Sequence, residues 1–310
     1  MADFIHLHNH SHYSLLDAAS TVDSLVTATV EQNMPAFALT DHGVMFGAVE
    51  FYKKATRAGI KPIIGNEMYM VTRGSRFDRN ASETHPEGKR HGYNHLVLLA
   101  KNDVGYHNLL KLTTYGHTEG FYYKPRIDWE LLRRHHEGLI ALTACAGGVV
   151  STYLAVGDYE SARDVALELR ELFGEDVYLE IQNHGLEREA IIRDGMLRLS
   201  QELDMRLICT NDIHYVNRDH DVAHNVYLHI ADVREAEDIT RLRYETSEYY
   251  YKSEQEMLAL FKDYPQAIES TVEVMEKIDF NLELGTLHMP DFPIPPESGA
   301  KDLDEYMTML

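Results

Sequence analysis

The sequence predicts an α/β protein, a distorted seven-stranded βα barrel of TIM-like type. Three observations carry this. Short apolar runs alternate with longer amphipathic stretches, polar residues collect at the C-terminal end of nearly every apolar run, and 310 residues suit a βα barrel built as one unit. An open doubly wound sheet would gather its polar residues at a single switch point instead.

The strand-like runs fall at 4–8 (FIHLH), 36–42 (AFALTDH), 61–71 (KPIIGNEMYMV), 94–102 (NHLVLLAKN), 138–148 (GLIALTACAGG), 176–185 (DVYLEIQNHG) and 206–216 (RLICTNDIHYV). Each is rich in Ile, Leu, Val or aromatics and stops at Gly, Asn or Asp. Helical spacing fills the gaps. TVDSLVTATVEQN follows Ser20, read as an N-cap with Asp23 three residues on, and GAVEFYKKATRAG ends on Gly59, a C-terminal stop. The stretches at 158–174 and 186–204 repeat apolar residues every three or four positions. Right-handed crossovers would then make the strands parallel.

Two regions break the alternation. Residues 72–93 are polar and locally basic, with Arg73, Arg76, Arg79, Lys89 and Arg90, and predict a long, exposed, mobile excursion. Beyond Tyr251 two helical stretches lead into the Pro-rich MPDFPIPPESG, and KDLDEYMTML begins a further helix. The expected division is a barrel over 1–270, with 271–310 a linker and the truncated start of a following region.

Composition narrows the function. Fifty Asp and Glu against 29 Lys and Arg leave a net charge of −21, which excludes a protein that coats duplex DNA with a basic face. A hydrophobic content of 44% supports a core and excludes intrinsic disorder. No apolar run approaches the roughly 18 residues of a membrane span. MADFIHLHNH does not read as a secretory signal, and two cysteines make a reducing cytoplasm the expected compartment.

Histidine occurs 18 times, and its placement points to metal. In HLHNHSH, His6, His8, His10 and His12 alternate and share one side of an extended chain. Asp212 and His214 repeat that spacing in TNDIHY. Asp41 and His42 end one apolar run, Glu67 ends IIGNE, His95 opens HLVLLA, and Cys145 lies at a strand end before two glycines in LTACAGG. Each residue alone has an ordinary use as a turn former, a core thiol or a hydrogen-bonded imidazole. Together they set carboxylate, imidazole and thiolate on one rim, a mixture suited to Zn²⁺, Mn²⁺ or Fe²⁺ more than Mg²⁺ or Ca²⁺. Neither a CxxC pair nor an HExxH helix is present.

The set HLHNHSHYSLLD, LTDHGVMFGAVEFYKKATRAGIKPIIGNE, HLVLLAKN, GFYYKPRID, LTACAGG, EIQNHG and TNDIHY resembles the N-terminal PHP (polymerase and histidinol phosphatase) domain of bacterial replicative DNA polymerase III alpha subunits. The resemblance runs to about residue 260. It implies a PHP-type barrel with three divalent ions held by His8, His10, Asp17, His42, Glu67, His95, Cys145, Asp212 and His214. It selects His8 and His10 from the four alternating histidines, leaves His6 and His12 outside, and gives His184 a supporting place. One departure is LTACAGG, where the family more often has Gly in the place of Ala144 before the Cys and Leu or Pro after it. The implied activity is metal-assisted 3′–5′ exonuclease proofreading, with Asp17, His42, Asp212 and His214 at the reacting end.

The same resemblance implies a bacterial cytoplasmic protein whose partners are a single-stranded DNA 3′ end, the remaining polymerase domains of its chain and other replisome subunits. Candidate DNA contacts are Arg76 and Arg79 of the basic excursion and Tyr122, Tyr123, Lys124 and Arg126 of GFYYKPRID. No Asp-x-Asp-x-Asp run is present, so no polymerase palm is expected in this chain. Two alternatives stay open: a metal-stabilised scaffold without turnover, and a free-standing phosphatase of histidinol-phosphatase type.

Overall fold

The computed structural model describes residues 3–79, 83–84, 90–231, 244–287, 289 and 291–310. The remaining part of the expected basic excursion, 80–82 and 85–89, lies outside the described residues.

Nine strands occur among the described residues: β1 Ala36–Leu39, β2 Lys61–Val71, β3 Glu83–Thr84, β4 Arg90–His91, β5 Asn94–Ala100, β6 Arg126–Asp128, β7 Leu139–Leu142, β8 Val177–Ile181 and β9 Arg206–Cys209. Seven form one curled half-barrel sheet in the order β1-β2-β5-β7-β8-β9, with β6 beside β2, while β3 and β4 pair separately. β2 is long enough for three neighbours. Ala36–Leu39 run parallel to Lys61–Ile64, Gly65–Met70 pair antiparallel with Asn94–Leu99, and Tyr69–Val71 run parallel to Arg126–Asp128.

The expected all-parallel arrangement is therefore corrected. β5 runs antiparallel to both β2 and β7. A parallel neighbour needs a crossover, usually a helix, whereas an antiparallel one needs only a reversal. The polar stretch between β2 and β5 offers no helical spacing, so the chain reverses there.

Residues 4–8 do not form a strand of their own. Instead the segment crosses between the two edges of the sheet. On one side Ala38 N donates to His6 O and Thr40 N to Asn9 O, and on the other His10 N donates to Ile213 O and Ile213 N to His8 O. Ile5 and Leu7 then join Ala36, Ala38, Ile63, Val97, Leu99, Ile140, Leu142 and Ile208 in one buried core. Successive inward residues within each strand are two apart, as the pleat requires.

Helices cover the sheet largely where the spacing placed them: Ala48–Arg57, Tyr159–Phe173, Glu187–Leu203, Glu254–Leu260 and Pro265–Lys277. The first helix, Val22–Glu31, is capped by Thr21 and not by Ser20: the Thr21 hydroxyl accepts from Ser24 N, while Ser20 is buried. The boundary expected at 270 falls inside a helix. Val274 and Ile278 pack into the core, and the compact unit runs Met1–Phe280. A second unit, Asn281–Leu310, holds a helix at Leu303–Met309 capped by Asp302, with Phe292 stacked on Tyr306. No helix of the described residues is long and apolar enough to cross a membrane.

Two expected DNA contacts are buried braces. The Arg76 guanidinium, 4% exposed, donates to Asp128, Glu119 and Glu130. Arg126 donates to the backbone carbonyls of Gly120, Asp78 and Arg76 at 3.1, 2.9 and 2.7 Å. Both cations are spent on carboxylates and carbonyls that burial would otherwise leave unpaired, so residues 72–79 are tied down and not a free basic arm. Arg76→Ala leaves the buried Asp128 carboxylate without its counter-ion. It is expected to lower unfolding free energy by about 3–5 kcal/mol in a urea titration, and an unchanged midpoint contradicts the bracing role.

Candidate metal centre

The expected ligands arrive on six segments of the chain. His8 and His10 lie on the N-terminal crossing segment, and Asp41 holds the turn that follows, accepting from Ser11 N at 2.7 Å and from the Ser11 and Ser14 hydroxyls. That turn carries Asp17 back over the sheet edge. His42 follows β1 and bridges to Glu67 in the middle of β2. Gly43 has φ 64, and a side chain there would meet Pro125 and Tyr69, so the tight turn after His42 requires glycine. His95 lies near the start of β5, Cys145 follows β7, and Asp212 and His214 follow β9. Ala144 and Asp212 both have positive φ, 65 and 47. Ala144 thus occupies the left-handed region that favours glycine.

The nine side chains form one connected cluster, in which five of them surround Glu67, itself fully buried. Its carboxylate lies 3.4 Å from His8 Nε2, 3.2 Å from His10 Nε2, 2.7 Å from His42 Nδ1, 3.0 Å from His95 Nδ1 and 3.8 Å from Cys145 Sγ. Asp212 Oδ1 lies 3.3 Å from His8 Nε2 and 3.2 Å from His10 Nε2. On the outer side, Asp17 Oδ2 is 2.6 Å from His42 Nε2 and 3.3 Å from His214 Nε2. Three overlapping sets have the closeness of cation sites: His8, His10 and Asp212; His42, Glu67 and His95; His10, His42 and His214.

The donor set fits divalent cations. His8 Nε2, His10 Nε2, His42 Nδ1, Glu67 Oε2 and Asp212 Oδ1 are all buried and meet only one another, at 2.7–3.3 Å, without a well-aligned hydrogen bond. Buried atoms paired so poorly leave lone pairs and charge for a cation to satisfy. The tautomers point the same way. His8 Nδ1 donates to Glu180 Oε1 at 2.7 Å and His214 Nδ1 to the Asp212 carbonyl at 2.8 Å, so the Nε2 lone pair of each ring faces the cluster.

The electrostatics show how the groups balance without a cation. Burial disfavours a charged His8, but Asp212, Glu180 and Glu67 outweigh it and raise its pKa well above the ordinary value. Against the same burial, Glu67 and Asp17 raise His42 to about 9. Burial alone would raise Glu67, yet His95, His42 and His8 hold it well below the usual carboxylate range. Burial, then Glu67 and Asp212, push the Cys145 thiol far up, so only a cation would make it a thiolate.

The remaining expected residues divide. His6 leaves the cluster: its Nε2 bonds the Lys252 carbonyl at 2.8 Å, and burial lowers it to about 4. His12 lies half-buried against Tyr13. The shared side implied by alternation fails because the segment is bonded to two different edges and is not a regular strand. Lys124 and Tyr123 are exposed and Tyr122 is half-buried, with Arg79 5.9 Å from the Tyr122 ring. Lys124 lines an open cleft of about 630 Å³ that exposes Asp17, His42, His95 and Cys145.

Glu180 and Tyr244 were missed. Glu180 also accepts from Ala144 N and Gln182 Nε2 and pairs with the Thr210 hydroxyl. A lone carboxylate in the apolar run VYLEI was its visible signal. His184 supports the wall, bonded to Glu189 and stacked on Tyr249 at 3.9 Å.

The raised pKa of His42 contributes stability in full below pH 6.5, lost as pH climbs through about 9. The lowered pKa of Glu67 contributes above pH 4.5 and is lost on acidification. The chelated chain is therefore expected to melt highest between pH 4.5 and 6.5. A melting temperature that rises steadily from pH 6.5 to 9 contradicts this balance.

The chain is similar to known proteins over nearly its whole length. The chain is 44% identical over 308 residues to a DNA polymerase III subunit alpha from Borreliella burgdorferi, covering 99% of this chain and 26% of that protein. It is 41% identical over 300 residues to the Treponema pallidum subunit, covering 96% and 25%, and 38% identical over 321 residues to that of Aquifex aeolicus, covering 99% and 27%. The chain thus spans about a quarter of the length of these relatives. The family described as PHP domain matches residues 6–184, a span that holds seven of the nine converging side chains, and the chain belongs to that family.

Proposed function

We propose that the chain is the N-terminal PHP region of a bacterial replicative DNA polymerase III alpha subunit, and that its centre hydrolyses phosphodiester bonds at single-stranded DNA 3′ ends. Three divalent ions, Zn²⁺ or Mn²⁺ with Fe²⁺ also compatible, would be held by His8, His10, Asp17, His42, Glu67, His95, Cys145, Asp212 and His214. The carrying observation is the cluster of five buried atoms, Glu67 Oε2 among them, that face one another at 2.7–3.3 Å without a well-aligned hydrogen bond. Bound there, the ions supply Lewis acidity toward phosphate oxygens and acidify water.

The protein's own groups bind and orient. Glu180 and the Asp212 carbonyl fix the His8 and His214 rings. Asp17 and His42 face the cleft and mark the end where the scissile phosphate would lie. Lys124 Nζ, 5.2 Å from the Tyr69 ring, offers a cation to a non-bridging oxygen. Exposed Tyr123, with Tyr122 beside it at 4.6 Å, offers a stacking surface for unpaired bases.

A scaffold reading is favoured by one observation. His8 and His10 stand on the segment bonded to both sheet edges, so ions there would staple β1 to the end of β9.

The purified chain is expected to carry close to three transition-metal ions, removable by chelators and lost below about pH 6 as imidazoles protonate. One ion or none in an undamaged preparation defeats the trinuclear proposal. Asp212→Asn keeps volume but removes a rim charge. Release of 3′-labelled nucleotides from single strands, with Mn²⁺ better than Mg²⁺, should fall by orders of magnitude. Equal release by both proteins, purified identically, defeats the nuclease. No release from a wild-type chain with three ions bound leaves the scaffold, visible as a melting temperature raised by metal.

A further inference from the structure

We infer that Tyr244 is a positioning residue for the outermost cation position, the one bounded by Asp17, His42 and His214; the inference rests on the metal reading proposed above. The observation is a hydroxyl placed between two expected ligands. Tyr244 Oη donates to Asp17 Oδ1 at 3.1 Å and lies 3.0 Å from His214 Nε2.

Proton accounting makes this placement informative. His214 Nδ1 donates to the Asp212 carbonyl, so the neutral ring carries its lone pair on Nε2. Asp17 Oδ2 faces His42 Nε2 and His214 Nε2, leaving Oδ1 for Tyr244. A phenol has one proton and cannot serve both Asp17 Oδ1 and His214 Nε2. When the proton goes to Asp17, the phenol oxygen turns only lone pairs toward His214 Nε2. A cation among Asp17, His42 and His214 would take the Nε2 lone pair of the neutral ring, and the bond to Oδ1 keeps Oδ2 aimed at it.

The surroundings hold the phenol in place. Its ring lies 4.5 Å from Tyr249, 5.1 Å from His214 and 5.3 Å from His224. His224 Nε2 in turn donates to the Asp17 backbone carbonyl at 2.5 Å, so Asp17 is gripped at backbone and carboxylate from the same side. None of the other expected ligands has a hydrogen bond to the Tyr244 hydroxyl among the described contacts. The effect of removing it should therefore stay local.

The test is metal uptake, read without turnover. The wild-type chain, Tyr244→Phe and Asp17→Asn are titrated with Mn²⁺ and with Zn²⁺ against graded chelator, and bound metal is counted. Asp17→Asn identifies which ion belongs to the outer position. Tyr244→Phe keeps the ring and should weaken that same ion about ten- to a hundred-fold. The other ions and the melting temperature of the chelated chain should stay at wild-type values. Equal or tighter binding of the outer ion overturns the inference, because the hydroxyl would then be a bystander or a competitor for His214. Uniform loss of all ions, or a destabilised chelated chain, also overturns it and makes the phenol a packing element. A wild-type chain with no ion sensitive to Asp17→Asn overturns the cation reading itself, a failure visible before the Tyr244 variant is examined.

Discussion

A carboxylate with no solvent exposure cannot stay ionised alone, and Glu67 is such a group in the middle of the sheet. Four imidazoles and a thiol surround it within 3.8 Å. Their convergence depends on one long strand. β2 pairs first with β1 and then, from Gly65 onward, with β5. Glu67 lies just past that change of neighbour, where the chain leaving β1 at His42 bridges to it and β5 brings His95 alongside. Burial keeps the carboxylate from being satisfied by water, and the switch of partners supplies the groups that satisfy it.

The reversed direction of β5 follows the same logic. In a parallel sheet the rim that carries chemistry is the C-terminal end of each strand. His42, Cys145 and the Asp212–His214 pair obey this, each lying beyond the last residue of a strand. His95 lies near the beginning of β5, which would place it at the opposite rim of a parallel barrel. Only in an antiparallel strand does the first turn of chain stand beside its neighbours' ends. The position of His95 at the head of its apolar run, together with the lack of helical spacing in the sequence before it, was the readable mark of the reversal.

Much of the cluster was legible because the side chains expected to hold metal belong to short motifs, most of them at strand ends, where residue type and chemistry coincide. What periodicity could not separate was His8 and His10 from His6 and His12. Alternation assumes a regular strand, whereas this segment divides its hydrogen bonds between Phe37–Thr40 and Ile213. Glu180 was missed because a supporting residue has no motif of its own and is recognised only by what it touches. Arg76 and Arg126 were misjudged for a related reason. Charge in sequence is visible, but burial is tertiary, and these cations are consumed by Asp128 and by three carbonyls.

That consumption bears on how an acidic protein would handle an anionic substrate. The net charge is −21, and two of the expected basic contacts, Arg76 and Arg126, are buried. Lys124 and Arg188 are the lysine and arginine side chains lining the cleft among the described residues, and Arg188 faces Glu245 at 3.7 Å. In the proposed reading, attraction for the scissile phosphate therefore comes chiefly from the cations themselves, held where the charge of Asp17, Glu67 and Asp212 is already internally opposed. Grip would be confined to the reacting phosphate, and the neighbouring nucleotides would be met by aromatic and apolar surface. Such a division suits a site that must engage an occasional strand end briefly and let duplex DNA pass.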